Sequence, residues 1–202
     1  MPVTCLIDTC IFVQARMHFD IPGLQALRHR CRSGSTTLLC TDITNREIAR
    51  KCEEAAESVA EQHEKFRKHV LSKIAITDEL KETLFGTMPT AQIADTAKHE
   101  YATLLSDCEA VLLEAKHARP DMVMDAHFNC RPPFGKGKKR NEFRDAFVID
   151  LLEQHHAKTG DSVHIISDDE DLHQAADERD WLTAHTSIFD FLDETAPEGD
   201  EL

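Results

Sequence analysis

Residues 3–12 read VTCLIDTCIF, a short and mostly apolar run that ends in a single acid, Asp8. A run of this kind is typical of a strand buried within a parallel sheet, and it predicts a first β-strand over residues 3–8. An acid after such a strand is also compatible with a turn or a helix start that involves no chemistry. Asp8 therefore has a functional meaning only if other acids reach the same edge of the sheet.

Helices and strands are predicted to alternate outward from this stretch. The hydrophobic periodicity predicts strands over 36–43, 163–167 and 181–185, and helices over 21–32, 44–70, 91–116, 141–157 and 171–179. Arg119–Gly137 contains three prolines and two glycines and is predicted to be a loop. Apolar strands that alternate with helices indicate an α/β fold with three layers, α/β/α, around a central and mainly parallel sheet.

Composition places the chain among water-soluble globular proteins. It has 202 residues, 41% hydrophobic and 30% charged, which suggests one domain over residues 1–195 and an acidic, flexible tail over 196–202. It contains no apolar run near the ~20 residues of a membrane span and no basic leader, so we expect a cytoplasmic location without membrane contact. Seven cysteines without a C-x-x-C pair argue against a zinc site and against a disulfide framework.

The charge distribution contains one exception to an acidic chain. The net charge is −14, which is unusual for a protein that binds nucleic acid. Residues 131–144, RPPFGKGKKRNEFR, nevertheless hold six basic residues and one acid. We expect this window to hold a polyanion, and its four central basic residues are Lys136, Lys138, Lys139 and Arg140. The alternative is a solvated turn that offsets the acids nearby.

Several acids are predicted to lie at the edge where parallel strands end, which is where α/β sheets bind ligands. They are Asp8 after the first strand, Glu47 early in the helix after the second, Glu142 and Asp145 at the start of helix 141–157, and Asp169 and Asp171 after strand 163–167. Some have simpler explanations. Glu47 could cap its helix together with Thr44 or pair with Lys51, and the acids after residue 167 could stabilise a helix start.

The chemistry of this set favours a hard divalent cation. Four or five carboxylates in one place repel one another by several kcal/mol in a low dielectric unless a cation lies among them. Carboxylate oxygens without His or Cys suit Mg²⁺ or Mn²⁺, which bind phosphate oxygens and activate water. The sequence has no Ser-His-Asp or Cys-His arrangement and no phosphate-binding P-loop. A phosphatase with an Asp nucleophile after the first strand is disfavoured, because Cys10 stands where its second Asp is needed.

Four motifs occur in a familiar order. They are LIDTCIF with Asp8, TDITNREIA with Glu47, NEFRDAFVIDLL with Asp145, and IISDDEDL with Ser167, Asp169 and Asp171. In this order the sequence resembles the PIN-domain nucleases over residues 3 to about 192. It is most similar to a poorly characterised bacterial PIN-like subgroup, in which Glu142 also matches the motif. Residues 60–130 are longer than in the smallest toxins of the family, which suggests extra helices there and argues against a simple toxin role.

The resemblance implies endonucleolytic cleavage of RNA by a water molecule at a Mg²⁺ or Mn²⁺ site. It implies that Asp8, Asp145 and Asp169 are the principal ligands, and that Glu47, Glu142 and Asp171 complete the ligand set or orient water. Thr9 and Ser167 would bind the ligand carboxylates from behind. Single-stranded DNA remains open as a substrate. A homodimer, further domains and a protein partner also remain open.

Two other functions remain open at this point. The chain could be a catalytically weak PIN-like module that only binds nucleic acid, although none of the principal acids is missing. It could also be a nuclease for single-stranded or flap DNA, because the same acids would serve that reaction and no base-reading motif is visible.

Overall fold

The computed structural model describes residues 2–135 and 142–196, so Lys136, Lys138, Lys139, Arg140 and the tail beyond residue 196 lie outside the described residues. The elements in chain order are β1 (Val3–Ile7), α1 (Thr9–Gln14), α2 (Pro22–Arg32), β2 (Thr36–Thr41), α3 (Asp42–Lys73), α4 (Asp78–Phe85), α5 (Thr90–Asp107), β3 (Val111–Leu113), a 3₁₀ turn (Ala115–His117), α6 (Pro120–Phe128), α7 (Phe143–Thr159), β4 (Val163–Ile166), α8 (Glu170–Asp177), β5 (Leu182–His185) and α9 (Ile188–Glu194).

In the described part of the chain, five strands form one sheet in the order β3-β2-β1-β4-β5, and every neighbouring pair is parallel. The central strand β1 pairs on one side with β2 and on the other with β4, where Ile7 lies beside Ile166. All five strands therefore end at one edge, which we call the carboxyl edge. The prediction of a mainly parallel sheet is confirmed.

Side chains alternate between the two faces of the sheet, and each face packs against its own helices. Cys5 and Ile7 of β1 belong to a core that includes residues of α1, α2, α3, α5 and α9. Leu6 points the opposite way, into a second core built from α7 and α8. The three-layer α/β/α fold follows from these two cores, and it confirms the fold class predicted from the sequence.

The edge strand β3 was not predicted, and the helix predicted over 91–116 is wrong beyond Asp107. Helix α5 ends at Cys108, and Glu109 adopts φ +47°, which turns the chain toward the sheet. Cys108, Val111 and Leu112 are spaced by three and four residues, which imitates a continuing helix. Val111 and Leu112 are largely exposed on an edge strand of three residues, so the burial signal of a strand is weak there.

A helix also replaces part of the loop predicted over Arg119–Gly137. Helix α6 begins at Pro120, a position at which proline favours a helix, because the first helical N–H needs no partner within the helix. Its Val123 forms a small buried cluster with Phe134, which precedes α7 in the chain, and with Ala146 of α7. The short helix α1, directly after Asp8, was likewise not predicted.

The extra helices expected in residues 60–130 are present. Only the first half of the 32-residue helix α3 is buried, at Thr44, Ile48, Cys52 and Ala56. Its second half contacts α4, where Phe85 packs against His63 and Phe66. Of the helices in residues 2–135 and 142–196, none has the length and apolar character needed to cross a membrane.

Candidate active site

The candidate site lies at the carboxyl edge between β1 and β4. Strands β2 and β3 follow β1 in one direction across the sheet, and β4 and β5 lie on the other side, so the strand order reverses at this point. Ligands of open α/β sheets bind in the crevice that such a reversal leaves. The N–H of Asp8 donates to the carbonyl oxygen of Ile166 at 2.9 Å, which joins the two strand ends.

Asp8 has a structural role and a suitable position for chemistry at the same time. It is the N-cap of α1, and its Oδ2 accepts a hydrogen bond from the N–H of Cys10 at 3.3 Å. The same Oδ2 accepts a second bond from the Ser167 hydroxyl at 3.0 Å. The Cys10 thiol also interacts with the Asp8 carboxylate. Contacts from Cys10 and Ser167 thereby orient the carboxylate.

The loop from β4 to α8 presents the next acids. Asp169 caps α8 and is exposed, and its Oδ1 accepts from the N–H of Asp171 at 2.7 Å. Its own N–H donates to the hydroxyl oxygen of Ser167 at 3.1 Å, so Ser167 links Asp169 to Asp8. Asp171 is buried in the first turn of α8. Of these two acids, Asp169 is the one that faces solvent at the carboxyl edge.

Asp145 joins the site from α7. This helix runs from the carboxyl edge to the opposite edge, where β4 begins, so its first turn lies near Asp8. Burial, followed by the negative charges of Asp8, Asp169 and Glu142, raises the pKa of the Asp145 carboxyl to about 8, against the smaller opposite effect of Arg144. Three separate segments thus bring Asp8, Asp169 and Glu142 close enough to disfavour the negative charge of Asp145.

Glu47 occupies a different environment, which is dominated by cations. Its Oε1 forms an ion pair with Arg144 and lies 3.9 Å from Arg50, and its Oε2 accepts from the Thr9 hydroxyl at 3.2 Å. Thr9 thus connects Glu47 to the residue next to Asp8, and this hydrogen bond agrees with the role expected for Thr9.

Both simpler explanations of Glu47 are wrong. Helix α3 begins earlier than predicted, because Thr41 is its N-cap and accepts from the N–H of Thr44 at 2.9 Å. Glu47 consequently lies beyond the first turn and caps nothing. Lys51 pairs with Glu54 at 2.9 Å instead of with Glu47.

A buried acid elsewhere on α7 shows what a satisfied carboxylate looks like in this fold. Asp150, one of the few charged residues in the core, accepts from the backbone N–H and the Nε of Arg119 at 2.8 and 2.9 Å. Asp145 lies beside three acids and one partly compensating arginine. Unlike Asp150, Asp145 is therefore surrounded mainly by charges that disfavour its ionised form.

The donor set fits a hard divalent ion in kind and in charge, although its side chains are not arranged as a coordination shell. Within the described ranges, no group of three or more His, Cys, Asp or Glu side chains is spaced closely enough to hold a metal ion. Oxygen donors on Asp8, Asp145, Asp169 and Glu142 are those that Mg²⁺ and Mn²⁺ prefer. A cation would have to draw these four side chains inward.

Two residues of the site were not predicted. The thiol of Cys10 accepts from the N–H of Asp168 at 3.3 Å and lies 3.4 Å from the Ser167 hydroxyl. Burial, followed by the charge of Asp8, raises its pKa to about 12, so it remains a neutral thiol that braces the loop. Arg144 was counted with the basic window and not as a residue of the site. Its position directly before Asp145 in the sequence could have indicated that it lies beside the acids.

Comparison with known proteins agrees with this arrangement. A family model described as PIN domain matches residues 5–172, a range that contains every candidate acid and four of the five strands at least in part. No curated protein and no solved structure gives a significant match to the chain.

Proposed function

The chain belongs to the PIN-domain family, and from that premise we propose that it is a divalent-metal-dependent endoribonuclease. PIN domains are generally nucleases, so the family supports cleavage of nucleic acid. RNA as the substrate, Mg²⁺ or Mn²⁺ as the ion, and the individual catalytic residues are parts of the proposal.

The observation that carries the proposal is the surroundings of Asp145. A half-buried carboxyl beside Asp8, Asp169 and Glu142, at the point where the strand order reverses, is unfavourable in the absence of a cation. A fold that retains such an arrangement gains from it when a divalent ion binds. Among the described residues, the charge of Arg144 lowers the pKa of Asp145 less than any of the three acids raises it, so pairing with Arg144 does not explain the arrangement.

We assign the ion to Asp8, Asp145 and Asp169, with Glu142 and Asp171 as further candidates. A bound Mg²⁺ or Mn²⁺ lowers the pKa of water and offsets the charge that develops on the leaving oxygen of a phosphodiester. Ser167 and Cys10 hold Asp8 and the 167–169 loop in register, so the acids are oriented before substrate arrives. Glu47, held by Thr9, is assigned to orient water or to complete the ligand set.

The basic window belongs to the proposal as the surface that holds substrate. Lys136, Lys138, Lys139 and Arg140 lie outside the described residues, and they directly precede Glu142 and Asp145 in sequence. Cations at that position in the chain would bring a phosphate backbone to the start of α7. Such a clamp would explain how a chain with net charge −14 holds a polyanion.

The test is incubation of the protein with end-labelled single-stranded RNA and with DNA of the same sequence, in Mg²⁺, in Mn²⁺ and in EDTA. We expect cleavage of RNA in either metal, none in EDTA, and products with a 5′-phosphate. The Asp8→Asn and Asp145→Asn variants should lose the activity while keeping the circular dichroism spectrum of the wild type. Asp168→Asn is the matched control. Asp168 is exposed, and its charge is not among those that shift the pKa of Asp145.

Each contrary outcome has a clear meaning. Cleavage of DNA alone would favour a single-stranded or flap DNA nuclease. Binding without cleavage in any metal would favour the catalytically weak module. Cleavage that survives Asp145→Asn would remove the carboxylate site from the mechanism.

A further inference from the structure

A groove beside Glu47 has the chemistry of a second substrate contact. We propose that Arg46, Arg50 and Arg144 bind the phosphodiester backbone of a single-stranded RNA next to the acidic site. The inference rests on the proposed function, and it assigns a phosphate-binding surface that is separate from the basic window at 136–140.

The groove has a volume of about 490 Å³. Its lining consists of Asp42, Ile43, Arg46, Glu47, Arg50, Ala115 and Arg144. Two secondary-structure elements supply the cations: α3 carries Arg46 and Arg50 on successive turns, and the first turn of α7 carries Arg144. Three arginines against two carboxylates leave the groove with an excess of positive charge in a chain that is strongly acidic overall.

The three guanidinium groups remain accessible to a ligand. The side chain of Arg46 is 85% exposed, that of Arg144 is 59% exposed and that of Arg50 is 56% exposed. A guanidinium presents a planar set of donors that matches the oxygens of a phosphate, and it gives up little hydration when it binds one. Exposed arginines around one concavity therefore suit a phosphate chain better than they suit a neutral ligand.

The groove is directly joined to the acids. Arg144 immediately precedes Asp145 on α7, and Glu47 accepts its hydrogen bond from Thr9, which immediately follows Asp8. A strand whose phosphates lie along the arginines would therefore continue toward the carboxyl edge of the sheet. This adjacency makes the groove a path to the reacting phosphodiester.

Carboxylates contact all three arginines: Glu47 lies against Arg144 and Arg50, Arg50 also lies 3.4 Å from Glu54, and Arg46 lies 4.0 Å from Asp42. The carboxylate of Glu47 pairs with Arg144 and lies 3.9 Å from Arg50, so it takes the place that a phosphate would take. A phosphate must compete with it, and removal of the Glu47 charge should strengthen RNA binding even where it weakens cleavage. Lys51, a neighbour that could be expected to join this surface, pairs with Glu54 and does not line the groove.

The experiment measures binding without catalysis. Fluorescence anisotropy in EDTA would give the Kd for a short labelled RNA, and for DNA of the same sequence, at several salt concentrations. The variants are the full chain with Arg46, Arg50 and Arg144 replaced by Ala, and a matched triple variant at Lys65, Arg67 and Lys68. The control removes the same number of positive charges, all of them from α3, and Lys65 lies about 22 Å along α3 from Arg50.

We expect the groove variant to bind RNA more than about tenfold more weakly at low salt. We also expect its slope of log affinity against log salt to flatten by about two, since each phosphate contact of a single strand contributes about 0.7. The control should keep the slope of the wild type. A single Arg46→Glu change on a highly exposed side chain should weaken binding without affecting folding, and Glu47→Gln should tighten it.

The outcomes separate this inference from the proposed function. If the wild type binds and cleaves RNA while the groove variant keeps its affinity and salt slope, the groove assignment is wrong and the nuclease proposal stands. If the wild type binds neither RNA nor DNA, both are wrong. Equal weakening in the groove and control variants would show that only net charge matters, which also overturns the assignment.

Discussion

At the scale of single residues, Asp145 is the side chain on which the proposed chemistry depends. It is half buried on α7 and lies beside three acids, whereas Asp150 on the same helix is fully buried and paired with Arg119. The two residues are five positions apart and chemically identical. Their different partners predict opposite effects of the same substitution on stability.

Asp145→Asn should stabilise the metal-free protein, increasingly so as pH rises. Below about pH 4 the carboxyl is protonated in both the folded and the unfolded state, and it contributes nothing. The folded pKa is raised to about 8, so between pH 4 and 8 the unfolded state loses the proton first and the free energy of unfolding falls. The variant escapes this loss, which is on the order of a few kcal/mol above pH 8.

Thermal melts in EDTA at pH 5 and pH 8 would check this prediction. The Tm difference between variant and wild type should be larger at pH 8. Asp150→Asn is the control. It should lower the free energy of unfolding by about 1–3 kcal/mol, and therefore the Tm, at both pH values, because it weakens the hydrogen bonds from Arg119. A lower Tm for Asp145→Asn at pH 8 would mean that Asp145 is a structural residue.

Ser167→Ala should lower activity while leaving the fold intact. Its hydroxyl donates to Asp8 and accepts from the N–H of Asp169, and residues that orient metal ligands are typically worth 10–100-fold in metal affinity or activity. The measurement is the Mn²⁺ concentration that gives half-maximal cleavage. Ser187→Ala, which removes the N-cap of α9, should cost about 1 kcal/mol of stability and leave that concentration unchanged. Equal metal dependence in both variants would contradict the role of Ser167.

Residue patterns in the sequence were sufficient to place several candidate acids at one edge of the sheet but not to identify their partners. Asp8 and Asp169 follow buried strands, and that signal predicted their common edge correctly. The pairing of Glu47 with Arg144 was not predictable, because the two residues are 97 positions apart and meet only when α3 and α7 pack on the same sheet. Local capping patterns favoured a role for Glu47 that the earlier start of α3 excludes.

At the scale of elements, the buried strands and long helices could be predicted and the short peripheral elements could not. Strands β1, β2 and β4 contain adjacent apolar residues, and in β5 Leu182 and Ala184 alternate with polar residues; both signals are visible without tertiary information. Strand β3 is held mainly by its pairing with β2, so its three residues carry little signal of their own. Helix α6 was hidden by Pro120, which breaks a helix in its interior and favours one at its start.

The segment before α7 gives a prediction at this scale. Replacing Lys138, Lys139 and Arg140 with Ala should weaken RNA binding at low salt and flatten the salt slope by about two. Metal binding should persist because the acids remain, and saturating RNA should restore much of the turnover. The measurement is the same anisotropy titration, and an unchanged affinity and slope would leave the arginines of the groove as the substrate contact.

At the scale of the whole molecule, the proposed nuclease function is compatible with an acidic chain because some of its positive charges are grouped beside the candidate site. The acids needed for a cation lie at the reversal of strand order, the arginines of the groove lie beside them, and the basic window precedes α7 in sequence. Along α3, acids also pair with basic side chains of the same helix, as Glu64 does with Arg67 and Lys68. Net charge alone would have excluded the function that this distribution supports.

The most direct measurement is an anomalous difference map from a crystal soaked in Mn²⁺. We predict a peak bounded by the carboxylates of Asp8, Asp145 and Asp169, with these side chains drawn together around it, and no peak at that place in crystals of Asp145→Asn. A map without a peak at the carboxyl edge, or with Mn²⁺ bound only elsewhere on the surface, would contradict a metal-dependent nuclease site in this protein.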